Sequence, residues 1–147
     1  MDEREMRRFV EQYVKALNAT DAAEVEKFHA NESVTRSGGQ PGVRMGSAER
    51  QQYFRQRRRA FPDFQMIATK INVDPRSGRA TFDWEVTATH QGHFKGLPPT
   101  NKLVTHRGTT ELQIKNAKIV SETSYQDMSA FLAQLGGETP AGARADA

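Results

Sequence analysis

A chain of 147 residues with a formal charge of +3 and no cysteine is long enough to bury one real core, but it can hold no disulfide, thiolate nucleophile or Cys-ligated zinc. No apolar run approaches the roughly 20 residues of a membrane-spanning helix, and the charged start MDEREMRRFV lacks the apolar stretch of a signal peptide, so a cytoplasmic protein is expected. Chemistry must come from histidines, carboxylates, hydroxyls or ordered water.

Met6, Phe9, Val10, Tyr13, Val14 and Leu17 recur at helical spacing and predict an amphipathic helix over residues 3–18. Asp21 followed by Glu24 resembles a capping box and opens a short second helix carrying Val25 and Phe28. His29 then falls at that helix's end, where an imidazolium suits the dipole and a structural role is expected. SVTR, residues 33–36, predicts a short strand, and residues 37–46 form a Gly/Pro-rich loop. Ser47 is a plausible cap for a third helix that stops at Pro62, so three helices are expected to precede the sheet.

That third helix carries five arginines in RQQYFRQRRR, residues 50–59. Charge patterning reads them as a solvated face. Nucleic-acid binding is the weaker reading, because the stacking aromatics and recognised motif that would accompany it are missing.

From Phe64 the period changes to two, with Ile67, Thr69, Ile71 and Val73 alternating with polar neighbours until DPRSG turns the chain. In ATFDWEVTATH, Phe82, Trp84, Val86, Ala88 and His90 share one strand face while Asp83 and Glu85 take the other, where they can pair with Arg107 or Lys115. Residues 103–115 and 118–126 make two further strands joined at NAK, and MSAFLAQLG makes the last helix. One domain over residues 1–136 and a disordered tail over 137–147 are expected. The pattern is α+β, with helices packed on one side of a curled, mainly antiparallel sheet around a concave interior suited to a small ligand.

The ordered set Gly92, Phe94, Gly96, Pro98, Pro99 and Thr100, then Lys118-Ile119, Asp127 and Gln134-Leu135-Gly136, resembles the SnoaL-like polyketide cyclase family of the nuclear-transport-factor-2-like fold. The resemblance implies a cone-shaped apolar pocket, a homodimer or homotetramer, and ring closure by aldol chemistry without metal or organic cofactor. It also implies an acid/base aspartate on the last strand and a pocket histidine on the strand before it. Registering the segments puts Ser124 at the aspartate's position and Thr110 at the histidine's. Neither hydroxyl is a general base near neutral pH, so the aldol mechanism of the family does not transfer directly.

Strand parity then selects the interior. If Ser124 and Thr110 point inward, so do Glu122, Gln126 and His106, and Trp84 and His90 join them. His90 reads either as an acid/base group at the pocket mouth or as a hairpin residue bonded to backbone, and His106 as a proton carrier or a satisfied strand histidine. Glu122 is the enclosed carboxylate, suited to proton transfer or to holding a histidine. Tyr13, Trp84 and Phe94 read as pocket wall, and Asp63 in FPDF as a turn cap or a pocket group. No metal is expected, since the spacing of His90, His106 and Glu122 matches no compact metal motif. The functional expectation is a cofactor-independent cyclase or isomerase acting on a hydrophobic, oxygenated small molecule by proton transfer and positioning, with His90, His106 and Glu122 as catalytic groups. Epoxide opening and pericyclic steps remain open, and the alternative is a protein that binds such a ligand without chemistry.

Overall fold

The computed structural model describes residues 1–19, 21–37 and 44–136; most of the Gly/Pro-rich loop and the tail expected to be disordered lie outside the described residues. Helix α1, Glu3–Leu17, starts at a capping box in which Asp2 accepts from the Glu5 amide and Glu5 from the Asp2 amide. Its stripe of Met6, Val10, Tyr13 and Val14 is buried. Asn18 closes the helix and also acts as a strand mimic, since its side-chain amide exchanges two hydrogen bonds with the backbone of Met66 at 2.9 and 2.7 Å.

Helix α2, Ala22–Glu26, is capped by Asp21, and strand β1, His29–Ser37, follows at once. Three helices therefore do not precede the sheet: β1 and the two-residue β2, Arg44–Met45, come before helix α3, Ser47–Ala60. The sequence showed only SVTR because β1 carries a register irregularity between His29 and Val34, which leaves Asn31 and Glu32 exposed and strand-poor in composition. Gly46, not Ser47, is the residue before α3, and the Ser47 hydroxyl instead donates to Glu26 at 2.9 Å.

Strands β3 (Gln65–Asp74), β4 (Arg79–Thr89), β5 (Leu103–Lys115) and β6 (Lys118–Gln126) form an antiparallel meander, and helix α4, Met128–Gln134, ends the fold. The sheet order is β2-β1-β6-β5-β4-β3, with β1 parallel to β6. Among the described residues no helix is long and apolar enough to cross a membrane.

Two local features set which side chains reach the interior. An extra residue at Thr69 interrupts the β3–β4 pairing between Ala68 and Lys70, so Met66 and Ala68 turn inward before it and Ile71 and Val73 after it. The single face predicted for residues 67, 69, 71 and 73 is thereby broken, and Ile67 is 60% exposed. Strand β4 has no such irregularity against β5, and Phe82, Trp84, Val86 and Ala88 are all buried as alternation requires. Opposite Trp84 in β5 stands Gly108. A Cβ there would run into the indole and come within 2.8 Å of the Tyr125 carbonyl, so the missing side chain lets the ring lie flat on the β5 backbone.

Candidate active site

The concave face of the sheet, α3 and the ends of α1 and α4 enclose a cavity of about 480 Å³, within the usual range for small-molecule sites. Its polar groups are separated into distinct places. At one end the Glu122 carboxylate, brought inward by the parity of β6, accepts hydrogen bonds from Tyr13 Oη at 2.7 Å and Thr35 Oγ1 at 3.0 Å. Tyr13 spends its only proton there, so its oxygen accepts from His29 Nε2–H at 3.0 Å, and His29 Nδ1 accepts from the Ser33 hydroxyl at 2.8 Å. Ser33, His29, Tyr13 and Glu122 thus form one oriented chain. Burial, followed by the charge and hydrogen bond of Glu122, pushes the Tyr13 hydroxyl well above its ordinary value and keeps it a donor.

In the middle of the cavity the Trp84 indole N–H donates to Thr110 Oγ1 at 2.9 Å, and Thr110 shares a 2.9 Å bond with the Ser124 hydroxyl. Two hydroxyls sharing one bond leave one hydrogen over, so this pair retains a donor for a ligand. At the far end His106 hydrogen-bonds to Gln126 Oε1 at 2.8 Å and packs at a tilt of 52° against Phe131 with ring centroids 4.8 Å apart. The carboxamide oxygen only accepts, so Nε2 of His106 carries the proton.

Tyr13, Trp84, Phe94, His106, Thr110, Glu122 and Ser124 all line the cavity. Two expected site residues do not. His90 lies on the Trp84 face and is fully buried, but the ring of Phe61 covers it at 5.4 Å between centroids, with Phe94 beyond. Its Nδ1 pairs with Thr100 Oγ1 at 3.0 Å and its backbone bonds Lys102 and Asn101, so it holds the base of the hairpin and does not reach the ligand space. Asp63 is exposed and accepts from the amide and hydroxyl of Thr89, both at 2.7 Å, so it ties the turn after α3 to the end of β4 instead of capping its own turn. Nor are His106 and Glu122 brought together. Glu122 pairs with Leu112, six residues along β5 from His106, which is on the order of 20 Å of strand.

The sequence reading also missed residues. His29 is not a helix terminus but the first residue of β1, 6% exposed. On α3, Arg50 and Arg57 turn inward with Phe54 and Tyr53 and line the cavity, so the five arginines are not one solvated face. The spacing 50, 54, 57 was the available signal, since it is a helical stripe that happens to contain arginines. Arg50 grips Glu26 at 2.8 and 2.9 Å and the Ser33 carbonyl at 2.7 Å. Burial pushes the Glu26 carboxyl up, but the hydrogen bonds from Arg50 and Ser47 outweigh it and hold the group below its ordinary value.

Burial lowers the pKa of His29, His90 and His106 from the ordinary 6.5, and the charge of Glu122 offsets this only in part at His29. A depressed imidazole supports stability above its unfolded value and loses that support as the pH falls toward its folded value. The urea midpoint is therefore expected to be higher at about pH 7.5 than at about pH 5.5, each histidine contributing at most about 1.4 kcal/mol per pH unit. A midpoint that stays level or rises on acidification would contradict this.

A curved sheet folded around helices, with an apolar cavity holding one enclosed carboxylate, is the nuclear-transport-factor-2-like, or ketosteroid isomerase-like, fold. The chain belongs to the SnoaL-like polyketide cyclase family, whose model matches residues 7–135. Among solved structures it is similar to AclR of Streptomyces galilaeus, a proposed hydroxylase, at 27% identity and a TM-score of 0.82 over 92% of this chain and 83% of that one. It is also similar to IdmH of Streptomyces antibioticus, a proposed polyketide cyclase, at 20% identity and a TM-score of 0.76 over 89% and 98%. A Catenulispora acidiphila protein of ketosteroid isomerase-like fold shares 18% identity with a TM-score of 0.72 over 89% and 94%. No curated protein sequence matches the chain.

Proposed function

We propose that this protein is a SnoaL-like enzyme that moves a proton on a hydrophobic, oxygenated small molecule of polyketide type, as a step of ring closure or isomerisation. The observation that carries this reading is the Glu122 carboxylate, which opens on an apolar cavity while Tyr13 and Thr35 fix its orientation. On the register read from the sequence, the cyclase aspartate would correspond to Ser124 and its histidine to Thr110. Glu122 lies on the same face of β6, two residues or about 7 Å earlier, so a carboxylate is still available to the same cavity. Glu122 takes a proton from a carbon next to a carbonyl, and the C–H electron pair passes onto the carbonyl oxygen. The left-over hydroxyl hydrogen of the Thr110–Ser124 pair can meet a second substrate oxygen, and His106 anchors the other end of the ligand.

Solvent exchange tests this directly. Acetylnaphthalene incubated with the protein in deuterated buffer is expected to gain deuterium at its methyl carbon, at a saturable rate above that of buffer alone. Saturable binding without added exchange would favour a ligand-binding protein instead. Nucleic-acid binding is weakened by Arg50 and Arg57, whose inward side chains remove two of the five charges from the helix surface.

A further inference from the structure

The two inward arginines of α3 differ in one respect. Arg50 has a carboxylate partner and two backbone acceptors. Arg57 has no carboxylate partner among the described residues. Its Nη2 donates to the Leu17 carbonyl at 2.8 Å, and its guanidinium carbon lies 3.7 Å from the Phe64 ring centroid and 4.8 Å from that of Phe54. Its Nε is buried without any hydrogen-bond partner, and the side chain forms part of the cavity wall. A cation facing an apolar cavity without a counter-charge is costly unless something supplies one. Aromatic faces offset only part of that cost.

We propose that Arg57 binds an anionic oxygen of the ligand, so that the cavity takes an apolar molecule carrying a carboxylate or an enolate. This rests on the reading of the cavity as a substrate site and deepens it by naming the substrate class. Burial brings the Arg57 pKa down to about 10, and the group remains charged near neutral pH. Two stacked phenylalanines hold the planar fork in place. The fork can then meet two oxygens of a delocalised anion, which a lysine in its place would do less well. A ligand spanning the cavity presents its anionic oxygen to Arg57 on α3 and its acidic carbon to Glu122 on the sheet. In the proton transfer proposed above, the charge that develops on the carbonyl oxygen then forms beside a fixed cation.

The test uses three probes with one ring system: naphthoate, its methyl ester, and the enolate of a naphthyl trifluoromethyl β-diketone. Titration calorimetry on the whole protein is expected to show naphthoate, the enolate or both bound at least about tenfold more tightly than the ester, the size of one charge-assisted hydrogen bond. Which anion leads distinguishes a carboxylate substrate from an enolate. In Arg57→Gln the preference for an anion over the ester disappears, and ester binding that is still measurable shows that the cavity has formed. In the wild-type protein the terminal guanidinium N–H proton resonances of Arg57 move downfield with the favoured anion and stay in place with the ester, a readout that does not depend on the variant folding. Equal affinity for ester and both anions, or a preference that survives in Arg57→Gln, overturns the proposal. So do terminal guanidinium resonances that no anion moves. These outcomes concern Arg57 alone, whereas absent deuterium exchange with bound acetylnaphthalene concerns Glu122.

Discussion

Glu122→Gln is expected to lower the deuterium exchange rate about 10²- to 10⁴-fold, the usual contribution of a positioned general base. The substitution is nearly isosteric. The remaining amide oxygen can still accept from Tyr13 Oη, and the new amide nitrogen can donate to Thr35 Oγ1, which has lone pairs free for it. The fold and the ligand space are therefore retained, and ester binding is expected to change by no more than about threefold. A carboxamide cannot take up the proton. A Glu122→Gln protein that exchanges within about tenfold of wild type would remove the carboxylate from the chemistry. Glu122→Asp provides a graded control: it keeps the charge but withdraws it by one methylene, so activity should fall between the other two.

Glu26→Ala is expected to destabilise the protein by about 3 kcal/mol, near the lower end for a broken buried pair because Glu26 keeps some solvent contact. Both fork bonds from Arg50 are lost, and the arginine side chain, 5% exposed, is left as a buried charge with only the Ser33 and Met45 carbonyls beside it. The Ser47 hydroxyl at the first turn of α3 loses its acceptor too. Urea unfolding measures the change, with a melting temperature lower by roughly 10 °C. The double variant Glu26→Ala, Arg50→Met recovers most of the loss, since removing the stranded charge matters more than restoring the pair. If the double variant is no more stable than the single one, the cause lies elsewhere.

How much of this could be read from the residues depended on the kind of regularity each element has. Strands β4, β5 and β6 were legible to their ends, because β4 runs without a bulge and the NAK turn sits where Asn116 and Ala117 both adopt positive φ, 52° and 59°, as a tight hairpin requires. Parity correctly sent Trp84, Thr110, Glu122 and Ser124 to one side. It could not show depth: His90 obeys the alternation and is still screened by Phe61, from the end of a different element, α3. Parity also says nothing about distance along a strand, which is why His106 and Glu122 share a face and a cavity but stand at opposite ends of it. An inserted residue such as Thr69 leaves no mark in composition, and β1 lost its pattern to Asn31 and Glu32. Arg50 and Arg57 were hidden by their type, since a buried arginine is recognisable only once its partners, or their absence, can be seen.

The base of the site is assembled from parts of the chain that are far apart in time as well as in sequence. Tyr13 and Glu122 are separated by 109 residues, and Thr35 and Glu122 by 87. By contrast, β3 to β6 pair through successive hairpins, which close short loops and are quick to form. During synthesis, α1 and β1 leave the ribosome early and can settle on β3 and on β2 and α3 respectively, but Tyr13 and Thr35 meet Glu122 only once β6 has emerged, so Glu122 gains those hydrogen bonds late in folding. A meander that has formed without the N-terminal elements can already place Trp84 next to Thr110, but its carboxylate is unheld and open to water. On the proposed function, the exchange activity would report completion of the whole chain's folding, and a partly folded form is expected to be inert in that assay.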